Sequence, residues 1–175
     1  MPDTRANGTP SRIEMVIRPV RPDEYETAGA LVESAYRELL QDALGDGYAD
    51  HIRNVRWRAE RSDVYVAASN ERLLGCVTYV ADISSPLAEG LLAGEAEIRM
   101  LAVDPDSQGL GVGRALAAHC IELARQQGAV AVFLHSTAEM QIAHHIYQSL
   151  GFVRTPQRDD EPEPGVLLLG FRLEF

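Results

Sequence analysis

Hydrophobic and polar residues change their spacing along the chain, and each change predicts a secondary-structure element. Apolar runs and alternating patterns predict strands at residues 13–20, 64–69, 72–82, 95–103, 129–136, 152–156 and 166–175. Apolar residues at spacings of three and four predict helices at residues 21–39, about 111–127 and 138–150, with a shorter polar helix within 41–62. Asp23, which follows Pro22, is the expected N-cap of the first helix, and Gly151 is expected to end the last one.

The order of these elements predicts a mixed α/β fold, because strands and helices are interspersed. The strands at 64–69 and 72–82 are expected to form a hairpin through a short turn at 70–71. We therefore expect a mixed sheet that is covered by helices on both faces.

Length and composition fit one globular domain. The chain has 175 residues, of which 46% are hydrophobic and 24% are charged. Residues 1–12 are polar and rich in turn formers, so we expect a disordered tail there and a single domain over 13–175. No apolar run approaches the ~18 residues of a membrane span.

The net charge and the cysteine content limit the kinds of partner that the protein is expected to bind. The formal net charge of −10 argues against binding to nucleic acid or to an anionic membrane surface. The acidity could favour a cationic partner or could serve solubility alone. Cys76 and Cys120 lie in apolar contexts without metal-ligand spacing, so no metal is expected. Two buried free thiols fit a reducing cytoplasm, which is the expected location.

The stretch DSQGLGVGRAL at 106–116 carries three glycines, Gly109, Gly111 and Gly113, between a strand and a helix. The first N–H groups of a helix lack internal partners, and the helix dipole adds partial positive charge there. Glycines let the backbone approach an anion, and Arg114 can add a charge-assisted hydrogen bond. This arrangement predicts a site for a phosphate group, most simply a pyrophosphate.

Comparison with known phosphate-binding motifs reduces the number of possible ligands. A dinucleotide fingerprint would need a glycine where Arg114 stands, and an acidic residue at the end of the next strand, which ends in His135. No Gly-Lys-Ser/Thr sequence follows, so a P-loop site is excluded. A flexible turn without a ligand, or another nucleotide-binding fold, stays open as an alternative.

Two segments resemble motifs of the GNAT superfamily of acyl-CoA-dependent N-acetyltransferases. QGLGVG at 108–113 matches the Q/R-x-x-G-x-G/A signature, and AHHIYQSLGFVR at 143–154 resembles the family's later helix and strand. The resemblance covers about residues 13–175. It implies a mostly antiparallel sheet of six to seven strands whose fourth and fifth strands splay apart. A bulge near 99–102 would help to open a slot for acyl-CoA.

The resemblance also implies a cosubstrate, acetyl-CoA, and the residues that hold it. Main-chain groups of Leu101, Ala102 and Val103 would pair with the pantetheine arm as an added strand would. The side chain of Arg114 would assist the backbone amides that hold the pyrophosphate, which belong to Gln108, Gly109, Leu110, Gly111, Val112 and Gly113.

Two residues match catalytic positions of the family. Tyr147 matches the motif tyrosine, whose implied role is to protonate the departing CoA thiolate; a tyrosine packed in the core is the alternative. Glu97 matches a glutamate that acts in some members as a base, through water, on the acceptor ammonium. A backbone N–H near Leu101 would stabilise the oxyanion.

Strand alternation puts the charged residues of this region together. One face of the fourth strand would carry Glu95, Glu97, Arg99, Leu101 and Val103, and the other face would be wholly apolar. A sheet that is covered on both sides should not bury these charges, so an open cleft is expected. A solvated Glu97–Arg99 surface pair is the alternative.

Histidines near the expected slot are further candidates. His135 is a second base candidate because the unperturbed pKa of histidine lies near neutrality. His144 and His145 are adjacent on a helix, so at most one of them can face the slot. A surface or satisfied core position is the alternative for each histidine. Met140 stands where many family members have a cofactor-binding asparagine, so that contact is not carried over.

The acceptor implied by the resemblance is a primary amine of a small molecule or peptide, attacked directly in a ternary complex. The walls of the acceptor site would include Tyr36, Tyr48, Trp57 and the loop at 158–165. That loop carries four acidic residues, Asp159, Asp160, Glu161 and Glu163. They could attract a cationic amine, or the loop could be a solvated acidic loop with no ligand. A non-catalytic acyl-CoA sensor or regulatory module is the alternative function. Dimers are common in the family, so a homodimer stays open.

Overall fold

The computed structural model describes residues 14–40, 46–70, 72–162 and 164–175, and these form one seven-stranded sheet with flanking helices. The predicted tail at 1–12 lies outside the described residues. The strands are β1 (Val16–Pro19), β2 (Asp63–Ser69), β3 (Arg72–Val80), β4 (Glu95–Val103), β5 (Ala131–Thr137), β6 (Val153–Arg154) and β7 (Leu168–Glu174). The helices are α1 (Tyr25–Leu40), α2 (Asp46–Arg53), α3 (Val55–Ala59), α4 (Val112–Gln126) and α5 (Gln141–Ser149).

The sheet order is β1-β2-β3-β4-β5-β7-β6. Every neighbouring pair is antiparallel except β4 and β5, which are parallel. The predicted class of a mixed, mostly antiparallel sheet is therefore confirmed. The parallel pair is the only one of these that needs a crossover, and α4 supplies it.

The ends of the helices follow local chemistry. Asp23 is not the N-cap of the first helix, because a 3-10 turn at Pro22–Glu24 precedes α1. Arg21 is the N-cap of that turn, and the Glu24 carboxylate accepts a hydrogen bond from its backbone N–H at 2.9 Å. Glu24 also forms an ion pair with Arg18 at 2.7 Å. Gly151 has φ +97° directly after the C-cap of α5, as a helix-ending glycine should.

Two apolar cores cover the two faces of the sheet, as the sequence predicts. The first core joins α4 and α5 to the sheet through residues that include Val77, Ile98, Leu116, Leu134 and Tyr147. The second core joins α1, α2 and α3 to the other face through residues that include Val32, Ile52, Val66, Cys76 and Met100. The loop at 81–94 extends this second layer, since Leu87 and Leu91 pack against Val80 and Trp57.

A bulge and a gap interrupt the centre of the sheet. Thr78 pairs with Arg99 but Cys76 pairs with Ala102, so β4 carries one extra residue between these pairs. Met100 lies there with φ +48°, a conformation that residues other than glycine seldom adopt. The β4–β5 ladder ends at the Ile98–Leu134 pair. The predicted bulge and the predicted splaying of the fourth and fifth strands are both confirmed.

The bulge overturns the predicted faces of β4 beyond Arg99. Leu101 and Val103 pack against the first core, on the same face as Ile98, while Met100 and Ala102 belong to the second. One inserted residue reverses the direction of every later side chain. The charged residues of β4 therefore do not share a face with Leu101 and Val103.

Candidate active site

The glycine loop connects the end of β4 to α4 through a 3-10 turn at Pro105–Ser107. Gly109 has φ +76° and Gly111 has φ +81°, and a Cβ atom added to either would have no atom within 4 Å. Backbone conformation, and not crowding, therefore requires glycine at both positions. Gly113 differs, since its added Cβ would lie 3.3 Å from Cγ2 of Val103. It lets α4 pack closely on β4.

The N-terminus of α4 presents free amides to the loop. Gly111 is the N-cap, no described side chain caps the helix, and the bond from the Ala115 N–H to the Gly111 carbonyl measures 3.0 Å. The amides before Ala115 are those that a helix leaves without internal partners. Gln108 and Leu110 are exposed, whereas Val112 turns its side chain into the core. This geometry suits an anion.

Arg114 lies beside this loop in the first turn of α4. Its side chain is exposed, and its guanidinium donates a hydrogen bond to Oγ of Ser149 on α5. The predicted pyrophosphate contact thus has a cation next to the free amides. The same side chain links α4 to the C-terminal end of α5.

The slot between β4 and β5 starts beyond the last paired residues, Ile98 and Leu134. Ala102 and Val103 pair with Cys76 and Gly75 of β3 on one side. On the β5 side, no described strand pairs with residues 99–103. This edge of β4, which includes Leu101, can accept an extended ligand as an added strand.

Tyr147 lies in α5 on the first-core face and is 6% exposed. Its ring contacts Phe152 and Phe171 at centroid distances of 5.7 and 6.2 Å. Burial raises the pKa of its hydroxyl above the usual range, so the group stays protonated. The ring is thus packed in the core, as the alternative interpretation of Tyr147 predicted. A protonated hydroxyl is also what an acid requires.

Glu97 lies on the opposite face and is 1% exposed. Burial raises the pKa of this carboxyl to about 7, and the Glu89 N–H donates a hydrogen bond to it at 3.3 Å. The solvated Glu97–Arg99 pair is therefore wrong. Arg99 instead donates to the Leu87 carbonyl at 2.7 Å and pairs with Glu89 at 2.6 Å. The loop at 81–94 thus covers the side chain of Glu97.

Glu95 is buried rather than open to a cleft. Its carboxylate contacts the guanidinium of Arg158 at 3.0 and 2.9 Å and that of Arg172 at 2.8 Å. These bonds hold the pKa of Glu95 below its usual value despite burial. The open cleft expected for this charge is therefore wrong. The two arginines are 63 and 77 residues away along the chain, so local sequence gave no signal for them.

His135 lies near the same loop as Glu97. Its Nε2 lies 2.8 Å from the Arg158 carbonyl oxygen. Because a carbonyl only accepts, Nε2 carries a hydrogen and donates it to this oxygen. A Cβ atom added to Gly90 would lie 3.0 Å from Cε1 of His135. Gly90 therefore lets the loop pack closely on this histidine.

The other histidines and the acidic loop have local partners. His144 is half-buried with Nε2 at 3.1 Å from Oγ of Ser136, and His145 is exposed. Burial lowers the pKa of His144. Asp159 is not free for a cationic ligand, since it pairs with Arg154 at 2.8 Å.

The other residues of the predicted acceptor wall have separate surroundings. Glu161 accepts a hydrogen bond from the Gly165 N–H at 2.7 Å, while Glu163 and the side chain of Tyr48 lie outside the described residues. Trp57 is half-buried beside His51, with ring centroids 5.7 Å apart. Tyr36 packs against the second core.

Among the described residues, no cluster could hold a metal ion. None of the described helices is long and apolar enough to cross a membrane.

A mixed sheet that splits between two parallel strands, with free helix amides beside the split, defines the acyl-CoA N-acyltransferase fold class. The model of the acetyltransferase (GNAT) family matches residues 30–152. The chain therefore belongs to this family.

Similar proteins agree with this assignment. A mycothiol acetyltransferase from Cellulomonas flavigena is 40% identical over 91 residues, which are 51% of this chain and 26% of that protein. The [ribosomal protein bS18]-alanine N-acetyltransferase from Escherichia coli is 41% identical over 58 residues, 33% of this chain and 39% of that protein. PaiA N-acetyltransferase from Thermoplasma acidophilum, in complex with coenzyme A, shares the fold with a TM-score of 0.70 and 14% identity, covering 93% of this chain and 99% of that one.

The first curated relatives are longer proteins. The chain spans 25–26% of the length of the first three that it matches. The match to solved structures, by contrast, extends over nearly the whole of the PaiA chain.

Proposed function

We propose that this protein is an N-acetyltransferase that moves an acetyl group from acetyl-CoA to a primary amine. The observation that carries the proposal is the slot between β4 and β5, whose open strand edge leads to the free amides of α4. An extended, diphosphate-bearing thioester has the shape and charge that this pair of features accepts.

We assign the cofactor to the site that the sequence predicts. The Gln108 N–H already donates to the Pro105 carbonyl at 3.4 Å, so the amides of residues 109–113 and the side chain of Arg114 hold the diphosphate, while Leu101, Ala102 and Val103 pair with the pantetheine arm. The positive φ of Gly109 and Gly111 supports this role, since it exposes backbone at the loop tip. The coenzyme A bound to PaiA, a protein of the same fold, supports it as well.

The transfer is a direct attack in a ternary complex. Glu97, through a water molecule, takes a proton from the acceptor ammonium. The amine nitrogen then bonds to the thioester carbon, a backbone N–H near Leu101 stabilises the oxyanion, and the C–S bond breaks. Tyr147 gives its proton to the departing thiolate, and the second proton that the amine nitrogen loses as the amide forms restores the tyrosine hydroxyl. A carboxyl whose pKa is about 7 is well matched to a base at neutral pH.

A covalent acetyl-enzyme is not part of this proposal. Cys76 and Cys120 are fully buried, and burial raises the pKa of their thiols to about 11 and about 12. Thiols in that state are poor nucleophiles. This supports direct transfer over a two-step route.

The acceptor is an amine of a small molecule or of a peptide. The names of two relatives, one for mycothiol and one for an alanine of ribosomal protein bS18, span these two kinds of acceptor. The alternative of a non-catalytic acyl-CoA sensor has no specific observation in its favour.

An amine-panel assay tests the proposal. Purified protein is mixed with acetyl-CoA and individual primary amines, and release of the free CoA thiol is followed. We expect amine-dependent thiol release that is absent without acetyl-CoA. Tight acetyl-CoA binding without release across amino acids, polyamines and peptides would favour the sensor instead.

A further inference from the structure

Arg158 is the last residue of a 3-10 turn before β7, and it contacts three parts of the molecule. Its guanidinium contacts the Glu95 carboxylate of β4 at 3.0 and 2.9 Å. The same guanidinium donates through Nη2 to the Gly90 carbonyl, in the loop at 81–94. The Arg158 carbonyl accepts a hydrogen bond from His135 of β5 at 2.8 Å. One residue therefore joins β4, β5 and this loop.

Gly90 lets the loop pack tightly on β5. A Cβ atom added to Gly90 would lie 2.5 Å from Cε1 of Phe133, which is too close for two carbon atoms. Cζ of Arg158 lies 3.6 Å from the centroid of the same ring, within the range of a cation–π contact. Because the guanidinium also bonds to the Gly90 carbonyl, the loop, the ring and the guanidinium form one packed contact.

The same part of the loop contacts the Glu97 carboxyl. The Glu89 N–H donates to this carboxyl at 3.3 Å. Burial raises the pKa of Glu97 to about 7, and backbone hydrogen bonds from Glu89 and Gly90 oppose the rise. Gly90 therefore lies between the two side chains, with its N–H turned to Glu97 and its carbonyl to Arg158. Only 1% of Glu97 is exposed beneath the loop.

Arg172 of β7 shares one partner with Arg158 but does not share the loop. It contacts the Glu95 carboxylate at 2.8 Å, and its other ion pair is with Glu174 at 2.9 Å. Within the part of the chain that the structure describes, no hydrogen bond joins Arg172 to the loop at 81–94. Arg172 can therefore separate the effect of the loop contact from the effect of the ion pair with Glu95.

We propose that Arg158 is a positioning residue for Glu97, because it holds the loop at 81–94 over the carboxyl that takes the acceptor's proton. This inference rests on the proposed function, in which Glu97 is the base. Arg158 acts through the Gly90 peptide and does not contact the reacting atoms. Without its bond to Gly90 the loop would loosen, and water would hydrate the carboxylate. The pKa of Glu97 would then fall towards its ordinary value, and the base would be weaker at neutral pH.

Other charged groups on this face also affect Glu97. Besides burial, which raises the pKa of Glu97, the Arg99 guanidinium lowers it and the Glu89 carboxylate raises it. The titratable groups that the surrounding elements bring to this face are Glu95 and Arg99 on β4, His135 on β5, Arg172 on β7, Glu89 on the loop, His51 on α2 and Arg58 on α3. A test of Arg158 therefore has to keep all these charges in place.

Arg158→Lys keeps the charge but changes the geometry. One ammonium cannot repeat the planar fork that contacts Glu95 and Gly90 together. We expect the midpoint of the rise of kcat/KM with pH to move from about 7 to lower pH, by about 1 pH unit or more. The amide hydrogens of Glu89 and Gly90 should exchange with solvent about tenfold faster. Arg172→Lys is the matched control, and it should leave both quantities close to those of the wild type.

Two measurements do not depend on turnover. Hydrogen exchange followed by mass spectrometry reports on the loop. Carbon NMR of protein labelled at the glutamate carboxyls follows the ionisation of Glu97, and Glu97→Gln assigns its signal. If Arg158→Lys fails to fold, Gly90→Ala takes its place, since the added Cβ would displace the loop from Phe133. Gly90→Ala should move the titration of Glu97 in the same direction.

The outcomes separate this inference from the proposed function. A wild-type pH midpoint and wild-type exchange in Arg158→Lys would overturn the role of Arg158 and leave the acetyltransferase proposal intact. Equal changes in Arg158→Lys and Arg172→Lys would also overturn it, because the effect would then arise from Glu95 alone. Absence of turnover with every amine would count against the proposed function. The exchange and the titration of Glu97 would then decide on Arg158 by themselves.

Discussion

Glu97 is a buried carboxyl whose ionisation falls near neutral pH, so its role can be tested through pH. The pKa is about 7 in the folded protein. If the ionised form is the base, kcat/KM should rise as pH increases through about 7 and level off above it. Glu97→Gln should lower kcat/KM at least about 100-fold and remove this rise. An unchanged pH profile in the variant would exclude Glu97 as the base and favour His135.

The same residue affects stability in a defined direction. Its pKa is raised from 4.5 to about 7 on folding, so the folded state holds the proton more tightly. This contribution is complete below pH 4.5 and is lost as pH rises through 7, at a cost of about 3 kcal/mol. Urea unfolding at several pH values should show Glu97→Gln gaining stability relative to the wild type as pH rises. A constant difference would contradict the burial argument.

Tyr147 tests the acid step. Tyr147→Phe keeps the ring contacts with Phe152 and Phe171 but removes the proton, so kcat should fall about 100-fold or more while acetyl-CoA affinity is unchanged. Tyr79→Phe is the control. Tyr79 is also buried, but its hydroxyl donates to Gln127 at 2.8 Å, away from the slot, so turnover should stay normal. Equal kcat in the wild type and Tyr147→Phe would remove Tyr147 from the mechanism.

At the scale of the element, the N-terminus of α4 can be compared with its own C-terminal end. Gly111 and Gly128 have φ of +81° and +76°, and a Cβ atom added to either meets nothing within 4 Å. Replacement of either glycine by alanine should therefore lower the free energy of unfolding by about 1–2 kcal/mol. Only Gly111→Ala should also weaken CoA binding, about tenfold or more, because only its Cβ lies at the amides. Equal CoA affinity in both variants would place the diphosphate elsewhere.

The element scale also shows what the sequence can predict. Hydrophobic spacing was enough for the order of strands and helices along the chain and for the start of α4, whereas the bulge in β4 was implied by the family resemblance. The faces of β4 beyond Arg99 were predicted wrongly, because alternation assumes a regular strand and one extra residue reverses it. The burial of Glu95 depends on Arg158 and Arg172, which are 63 and 77 residues away along the chain, so no local pattern contained it.

At the scale of the whole molecule, Glu95 joins β4 to the 3-10 turn at Pro156–Arg158 and to β7. Arg158 also donates to the Gly90 carbonyl, so this network holds the loop that covers Glu97. Glu95→Gln would leave two guanidinium groups short of a buried anion, and we expect a loss of about 3–5 kcal/mol in urea unfolding. Glu174→Gln removes the exposed partner of Arg172 and should cost under about 1 kcal/mol. Similar losses in both variants would contradict a structural role for Glu95.

The central claim is that the free amides at the start of α4 bind the diphosphate of coenzyme A beside the split sheet. Calorimetric titration of the folded protein with CoA, acetyl-CoA and pantetheine, which lacks the diphosphate, tests it most directly. We expect CoA and acetyl-CoA to bind with similar affinity and pantetheine to bind far more weakly. Equal binding of pantetheine, or binding of neither CoA nor acetyl-CoA, would contradict the account.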